Sequence, residues 1–238
     1  MNDMPRDKII RFLQPQYSPI DSLAYSGHLE TLQWLASKGY PWSSGACCSA
    51  ACGGQLKVLK WLRSEGCPWH EEACSCAAQG GHLEVLKWLK SEGCPWDNTE
   101  LCRRAAEGGH LEILRWLRSE GCPWDKRACW NAAMGGHLDV LKWFRSEGCP
   151  WNAWTCACAV RGGHLDVLKW LRSEGCPWNH TTWASASSSL IREWLEENGC
   201  PKAPPQAPLQ ALLQAPSQAL LRVVVGYSDN DDDEHYWW

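Results

Sequence analysis

The sequence contains no apolar run long enough to cross a bilayer. Val223-Val224-Val225 is far too short, since a spanning helix needs roughly 20 apolar residues. The opening stretch MNDMPRDKIIRFL, Met1 to Leu13, scatters charge where a secretory leader would carry an apolar core. Basic clusters are missing as well. The 238 residues hold 23 Lys and Arg against 27 Asp and Glu, for a net charge of -4. Five of the acids (Asp229, Asp231, Asp232, Asp233, Glu234) crowd a short stretch with no Lys or Arg, which leaves 23 basic against 22 acidic residues elsewhere. A near-neutral body excludes a nucleic-acid binder that works by neutralising phosphates. No Gly-x-Ser-x-Gly and no His-Glu-x-x-His occurs. Four of the five Gly-Gly pairs are followed closely by Glu or Asp, the wrong charge for cradling phosphate. These absences give the expectation of a non-enzymatic monomer, cytoplasmic or nuclear, with no cofactor and neither nucleic acid nor membrane among its partners.

What is present is a period. The Trp of Gly-Cys-Pro-Trp recurs at Trp69, Trp96, Trp124, Trp151 and Trp178, at intervals of 27, 28, 27 and 27. Tyr-Pro-Trp ending at Trp42 extends the series back by another 27. So short a period means one small unit copied along the chain, each copy burying its apolar face against its neighbours.

The unit is a pair of helices. In HLEVLKWLKSEGCPWDN, His82 to Asn98, apolar residues at Leu83, Val85, Leu86, Trp88 and Leu89 leave a narrow polar stripe. Such a helix must pack on both sides. Gly93 is placed to end it in a left-handed conformation, and Pro95 prevents continuation. A shorter helix precedes it: in ACSCAAQGG, Ala73, Cys74, Ala77 and Ala78 share one face, and Gly80-Gly81 breaks the helix. Trp34, Trp61, Trp88, Trp116, Trp143, Trp170 and Trp194 count seven units. The end units are atypical: Ser187-Ser188-Ser189 replaces Gly-Gly-His in the last. One residue is inserted between Trp96 and His110, expected in the loop around Asn98 to Glu100.

AAQGGHLEVLKWLKSEGCPW resembles the ankyrin repeat. Ala77-Ala78 and Gly81-His82-Leu83-Glu84-Val85 match its helical core, and Gly93-Cys94-Pro95-Trp96 stands where the family has Gly-Ala-Asp-Val. The resemblance covers roughly residues 18–201. It departs in period, 27 against about 33, and the Thr-Pro-Leu-His signature is absent. The missing residues fall where the family carries its β-hairpin. The expected fold is therefore an all-α solenoid of stacked helix-turn-helix repeats with hairpins shortened or absent. The expected organisation is a cap segment over 1–17, the repeat domain over 18–201, an Ala/Pro/Gln/Leu-rich linker over 202–226 and an acidic disordered tail over 227–238.

Cysteine and histidine follow the period. Cys47, Cys74, Cys102, Cys129 and Cys156 form one column; Cys67, Cys94, Cys122, Cys149, Cys176 and Cys200 form another. A Cys that recurs once per unit acts as a small buried hydrophobe in a reduced protein. His28, His82, His110, His137 and His164 stand one unit apart, roughly 10 Å per step, too far for one ion. Each is expected to hydrogen-bond locally at a helix start. Cys74-x-Cys76 and Cys156-x-Cys158 are the nearest approach to zinc motifs, but two thiols at that spacing on a helix diverge. No metal site is assigned.

Function is expected where the copies differ. Three positions after each loop Trp fall on one face of the shorter helix. They read Gly45, Cys48, Cys52; Glu72, Ser75, Gln79; Glu100, Arg103, Glu107; Arg127, Trp130, Met134; Trp154, Ala157, Arg161; Thr181, Ala184, Ser188. Arg, Trp and Met are enriched at protein interfaces. The family resemblance implies that shorter helices line a concave, partner-binding side. The candidate site is therefore Glu72, Ser75, Gln79, Glu100, Arg103, Glu107, Arg127, Trp130, Met134, Trp154 and Arg161, on a non-catalytic scaffold for a protein partner. Trp130 and Trp154 serve equally well as packing between units, and Trp237-Trp238 as a short docking motif. Two alternatives stand beside this: a Cys-rich metal-binding or redox-responsive protein, and the substrate-binding half of a ubiquitin-ligase adaptor.

Overall fold

The computed structural model describes residues 19–42 and 44–202. The cap segment 1–17, the linker beyond Lys202 and the acidic tail with Trp237 and Trp238 lie outside them. Fourteen helices follow in seven pairs. The shorter ones are α1 (Pro19–Ser26), α3 (Ser44–Cys52), α5 (Glu71–Gly80), α7 (Asn98–Glu107), α9 (Lys126–Met134), α11 (Ala153–Gly162) and α13 (His180–Ala184). Their partners are α2 (Leu29–Ser37), α4 (Leu56–Ser64), α6 (Leu83–Ser91), α8 (Leu111–Ser119), α10 (Leu138–Ser146), α12 (Leu165–Ser173) and α14 (Ser189–Glu197). No strand occurs among the described residues. The architecture is the all-α solenoid expected.

Helices of nine residues are too short to persist alone. Tertiary packing holds them. Successive shorter helices lie against one another, and in the first six units each longer helix packs on the shorter helix of its own unit. The side chains at these contacts explain the closeness. Ala77, Ala78, Ala105, Ala106, Ala132, Ala133 and Ala159 are fully buried, and a methyl is the smallest side chain that still removes backbone from water. The longer helices contribute Leu86 and Leu89, Leu114 and Leu117, Leu141 and Phe144, all inaccessible to solvent.

Each longer helix ends in the same way. The Cys94 amide donates to the Leu89 carbonyl at 3.0 Å and the Gly93 amide to the Lys90 carbonyl at 3.1 Å. Gly93 has φ 72°. This is the Schellman arrangement, and it turns the chain into the Cys-Pro-Trp loop. The inserted residue is not in a loop. Asp97 caps α7 directly after Trp96, and the extra residue lies in the first turn of that helix: Cys102 stands five positions after its cap, whereas Cys74 and Cys129 stand four after His70 and Asp125. A helix turn absorbs a residue at less cost than a loop whose Trp and cap are both fixed by packing.

The tryptophan columns lie at the margin of the core rather than within it. Those that follow the loops or sit on the longer helices are half-buried, and Trp34 is 37% exposed. Each loop Trp meets the longer-helix Trp of the next unit, edge to face except at Trp96 and Trp116, whose planes are tilted by 58°. Trp42 and Trp61 lie 5.1 Å apart between ring centroids, Trp124 and Trp143 5.2 Å, and Trp178 and Trp194 6.0 Å. A cation from the loop's own unit covers the other side. Arg63, Arg118, Arg145 and Arg172 stand 4.1–4.4 Å from the ring centroids of Trp69, Trp124, Trp151 and Trp178. The indoles thus bridge consecutive units as a sheath over the aliphatic core, with guanidinium groups shielding them from water.

The histidine column also spans junctions. Nε2 of His82, His110, His137 and His164 donates to the carbonyls of Cys52, Gln79, Glu107 and Met134, at 2.8, 2.8, 2.8 and 3.0 Å. Each acceptor belongs to the preceding unit, so the bond is not the local one expected. The Gly-Gly pairs make room for it. A Cβ on Gly80 would come within 2.5 Å of the Cys52 carbonyl oxygen, and one on Gly81 within 2.5 Å of the His110 ring. At the last junction, where no His follows, a Cβ on Gly163 would meet nothing within 4 Å.

Candidate partner-binding face

The candidate residues sit on α5, α7, α9 and α11, placed there because the small residues of the same helices claim the opposite side. Glu72, Gln79 and Arg161 are exposed, and Ser75, Glu100, Arg103, Glu107, Arg127, Trp130, Met134 and Trp154 are half-buried. Ala157, which shares the period, is 1% exposed and offers nothing to a partner. The sequence spacing could not show this, because burial there depends on side chains of the neighbouring unit.

The charges on α7 satisfy one another. Glu100 pairs with Arg103 at 3.2 Å and with Arg104 at 2.7 Å, and Arg104 reaches Glu107 at 3.3 Å. Arg103 also donates from Nε to the Thr99 carbonyl at 3.4 Å. Arg104 was outside the periodic set, yet it is the hub of this group. Opposite charges three and four residues apart on one helix were the signal for it.

Trp130 and Trp154 face each other across a junction, with ring centroids 6.4 Å apart and planes tilted by 50°. The Trp130 indole Nε1 donates to Asn152 Oδ1 at 2.8 Å, and Lys126 Nζ lies 5.6 Å from the Trp130 ring. Asn152 is the cap of α11 and also accepts from the Trp154 amide at 3.1 Å. One side-chain oxygen therefore anchors both a helix start and an indole of the preceding unit. The two tryptophans hold the junction and still expose part of their rings. The packing reading of the pair is the one these contacts bear on.

The column cysteines are buried, as expected of packing residues, and several of their thiols are also donors. Cys94, Cys149, Cys176 and Cys200 donate to the carbonyls of His70, Asp125, Asn152 and Asn179 at 3.5–3.6 Å. Those carbonyls belong to residues at the start of the shorter helices. Cys47 and Cys129 lie 3.2 and 3.3 Å, sulfur to sulfur, from Cys67 and Cys149. Their thiols are held well above the ordinary thiol range, first by the hydrogen bond to the neighbouring sulfur and then by burial. Burial pushes Cys102 up to about 12 and Cys158 up to about 11. These groups stay protonated at neutral pH, which makes them poor nucleophiles.

Two comparisons bear on the arrangement. The family model of ankyrin repeats in many copies matches residues 20–89 and 129–172. The crystal structure of the human ASB11 ankyrin repeat domain superposes with a TM-score of 0.52 at 18% identity, over 79% of this chain and 100% of that one. No curated protein matches. No helix among the described residues is long and apolar enough to cross a membrane.

Proposed function

We propose that this chain, an array of ankyrin repeats, is a non-catalytic scaffold that docks a protein partner on the face formed by its shorter helices. Ankyrin repeats in general are protein-interaction modules. One observation carries the reading to a particular face. From unit to unit the longer helices and their loops hardly change, whereas on α5, α7, α9 and α11 one position runs through Glu72, Glu100, Arg127 and Trp154 and another through Gln79, Glu107, Met134 and Arg161. A residue that must pack the same neighbour in every copy has no freedom to vary; these positions do.

The chemistry of the face supports a mixed partner. Glu72 and Gln79 lie toward the first units, the paired charges of α7 in the centre, and Trp130, Met134, Trp154 and Arg161 beyond them. A half-exposed indole fixed by a hydrogen bond, as Trp130 is, loses little side-chain entropy on binding, which favours it as an anchor. Arg161 and Glu107 add charge around them.

Crosslinking followed by mass spectrometry in the native cell tests the proposal. Crosslinks to one partner should concentrate on α5 to α11 at the named positions. The variant Arg127→Ala/Trp130→Ala/Trp154→Ala, checked for helicity, should lose that partner. Glu72→Lys/Arg161→Glu alters only exposed residues and should weaken capture without touching the junction. Retention of the partner by both folded variants would place the interface elsewhere.

A further inference from the structure

Four of the fifteen cysteines stand outside the two columns: Cys48, Cys52, Cys76 and Cys158. One of them, Cys48, sits in a mixed cluster. Cys48 on α3 and Cys76 on α5 belong to adjacent units, 28 residues apart, and the two thiols influence each other electrostatically. Cys48 Sγ, a nitrogen of His70 and a carboxylate oxygen of Glu72 all lie within 4.8 Å of one another, and His70 Nδ1 is 3.8 Å from Glu72.

His70 is the second departure. It occupies the start of α5, where later units carry Asp97, Asp125, Asn152 and Asn179, each of which accepts a hydrogen bond from its own helix. His70 makes no such bond. This copy gives up the helix cap that its neighbours use, at the one place where off-column thiols gather. Local rules broken together in one spot, with no packing gain, are the mark of a site.

We propose that Cys48, His70 and Glu72 bind a zinc-class cation, with Cys76 moving in from the adjacent helix turn as the fourth donor. Thiolate with imidazole is the donor set for such an ion. Tetrahedral ligands about 2.1–2.3 Å from zinc stand roughly 3.5 Å apart, so the cluster must contract by about an ångström. Glu72 and His70 can supply that movement, because their side chains are 71% and 43% exposed, and they leave an entry path from solvent. As the two sulfur–metal bonds form, each thiol releases its proton to water, while His70 donates a ring lone pair and keeps its other nitrogen protonated. Arg104 acts electrostatically on Cys76 and offsets the excess negative charge of two thiolates and a carboxylate.

The test uses the full chain, reduced and stripped of metal, with Co2+ as the probe. Stoichiometric uptake with the thiolate-to-cobalt charge-transfer band of tetrahedral coordination is expected, and Zn2+ should displace it. His70→Asn is the informative variant, because Asn caps the equivalent helix at Asn152 and Asn179. It should fold, and it should lose the bound equivalent and the rise in thermal midpoint that Zn2+ gives the parent. Cys48→Ser/Cys76→Ser should lose both as well, and Cys158→Ser should keep both. Absence of uptake by the parent chain overturns the proposal. So does uptake that persists in His70→Asn and in the double variant, or that vanishes equally in Cys158→Ser.

Discussion

His110 reaches back across a junction and holds Gln79: its Nε2 donates to the Gln79 carbonyl at 2.8 Å, while its ring lies over Gly81, whose φ is 82°. The bond and the bare backbone are one device. The ring can approach the preceding turn only because that turn has no Cβ.

The two halves should therefore couple. His110→Ala removes one hydrogen bond and some packing, for about 1–2 kcal/mol. Gly81→Ala adds a left-handed alanine, about 1–2 kcal/mol, and a clash with the ring. In the double variant the clash is gone, so the summed single costs should exceed the measured loss in urea titrations. Gly163→Ala has the same backbone strain at φ 81° and no ring to meet, and should cost less than Gly81→Ala. Equal costs for the two glycines would refute the clamp.

Asn152 serves two groups with one oxygen, and Asn179 serves only its own helix. Asn179→Ala should cost about 1 kcal/mol, the worth of a cap. Asn152→Ala should cost about 2 kcal/mol, because the Trp130 indole also loses its acceptor. Calorimetry of the two variants checks the order, and a reversed order would show that the indole finds another partner.

The edge-to-face pair of Trp124 and Trp143 should show a coupling of about 1 kcal/mol in a double-mutant cycle with Leu at both positions. Arg118 lies 4.1 Å from the Trp124 centroid and 3.8 Å from the Glu147 carboxylate. Arg118→Ala should cost about 0.5–1 kcal/mol, mostly through the indole, since the ion pair is exposed to solvent. Insensitivity of that cost to salt would confirm the division.

Alkaline pH should unfold the array. Burial raises Cys102 from the ordinary 9.0 to about 12 and Cys158 to about 11. Below pH 9 both thiols are neutral in the folded and unfolded chains, and their contribution is whole. Above it the unfolded chain ionises first, and the contribution is lost as pH climbs through the folded values, by about 1.4 kcal/mol per pH unit for each thiol. The urea midpoint under reducing conditions should fall between about pH 8 and about pH 10.5, and Cys102→Ala/Cys158→Ala should flatten the slope. A parent midpoint that holds steady over this range contradicts the assignment.

Much of this was legible in the sequence. Periodic Leu, Ala and Gly define the seven helix pairs, because each copy solves the same packing problem and so repeats the same residues. What spans a junction was harder to read. His82 and Cys52 are 30 residues apart, and a repeat shows that His recurs without showing which carbonyl it meets. The Gly-Gly pair read as a helix break, which it is, but its second role needs the position of the next unit's ring. The stripe on α5 to α11 was visible as a period, whereas the burial of Ala157 and the tie from Trp130 to Asn152 were not. The thiol cluster escaped for the same reason. Spacing within one helix drew attention to Cys74 and Cys76, while the cluster joins Cys48 to His70 and Glu72 of the next unit.

Because each histidine braces only the copy before it, array length is adjustable. Excising residues 110–136 would join Gly109 to His137, which then inherits the Gln79 carbonyl, while His164 settles over Gly109. Every brace survives, and the variable stripe loses Arg127, Trp130 and Met134 as one block. A lineage could lengthen or trim the variable face a copy at a time and keep the histidine joint at every junction that remains.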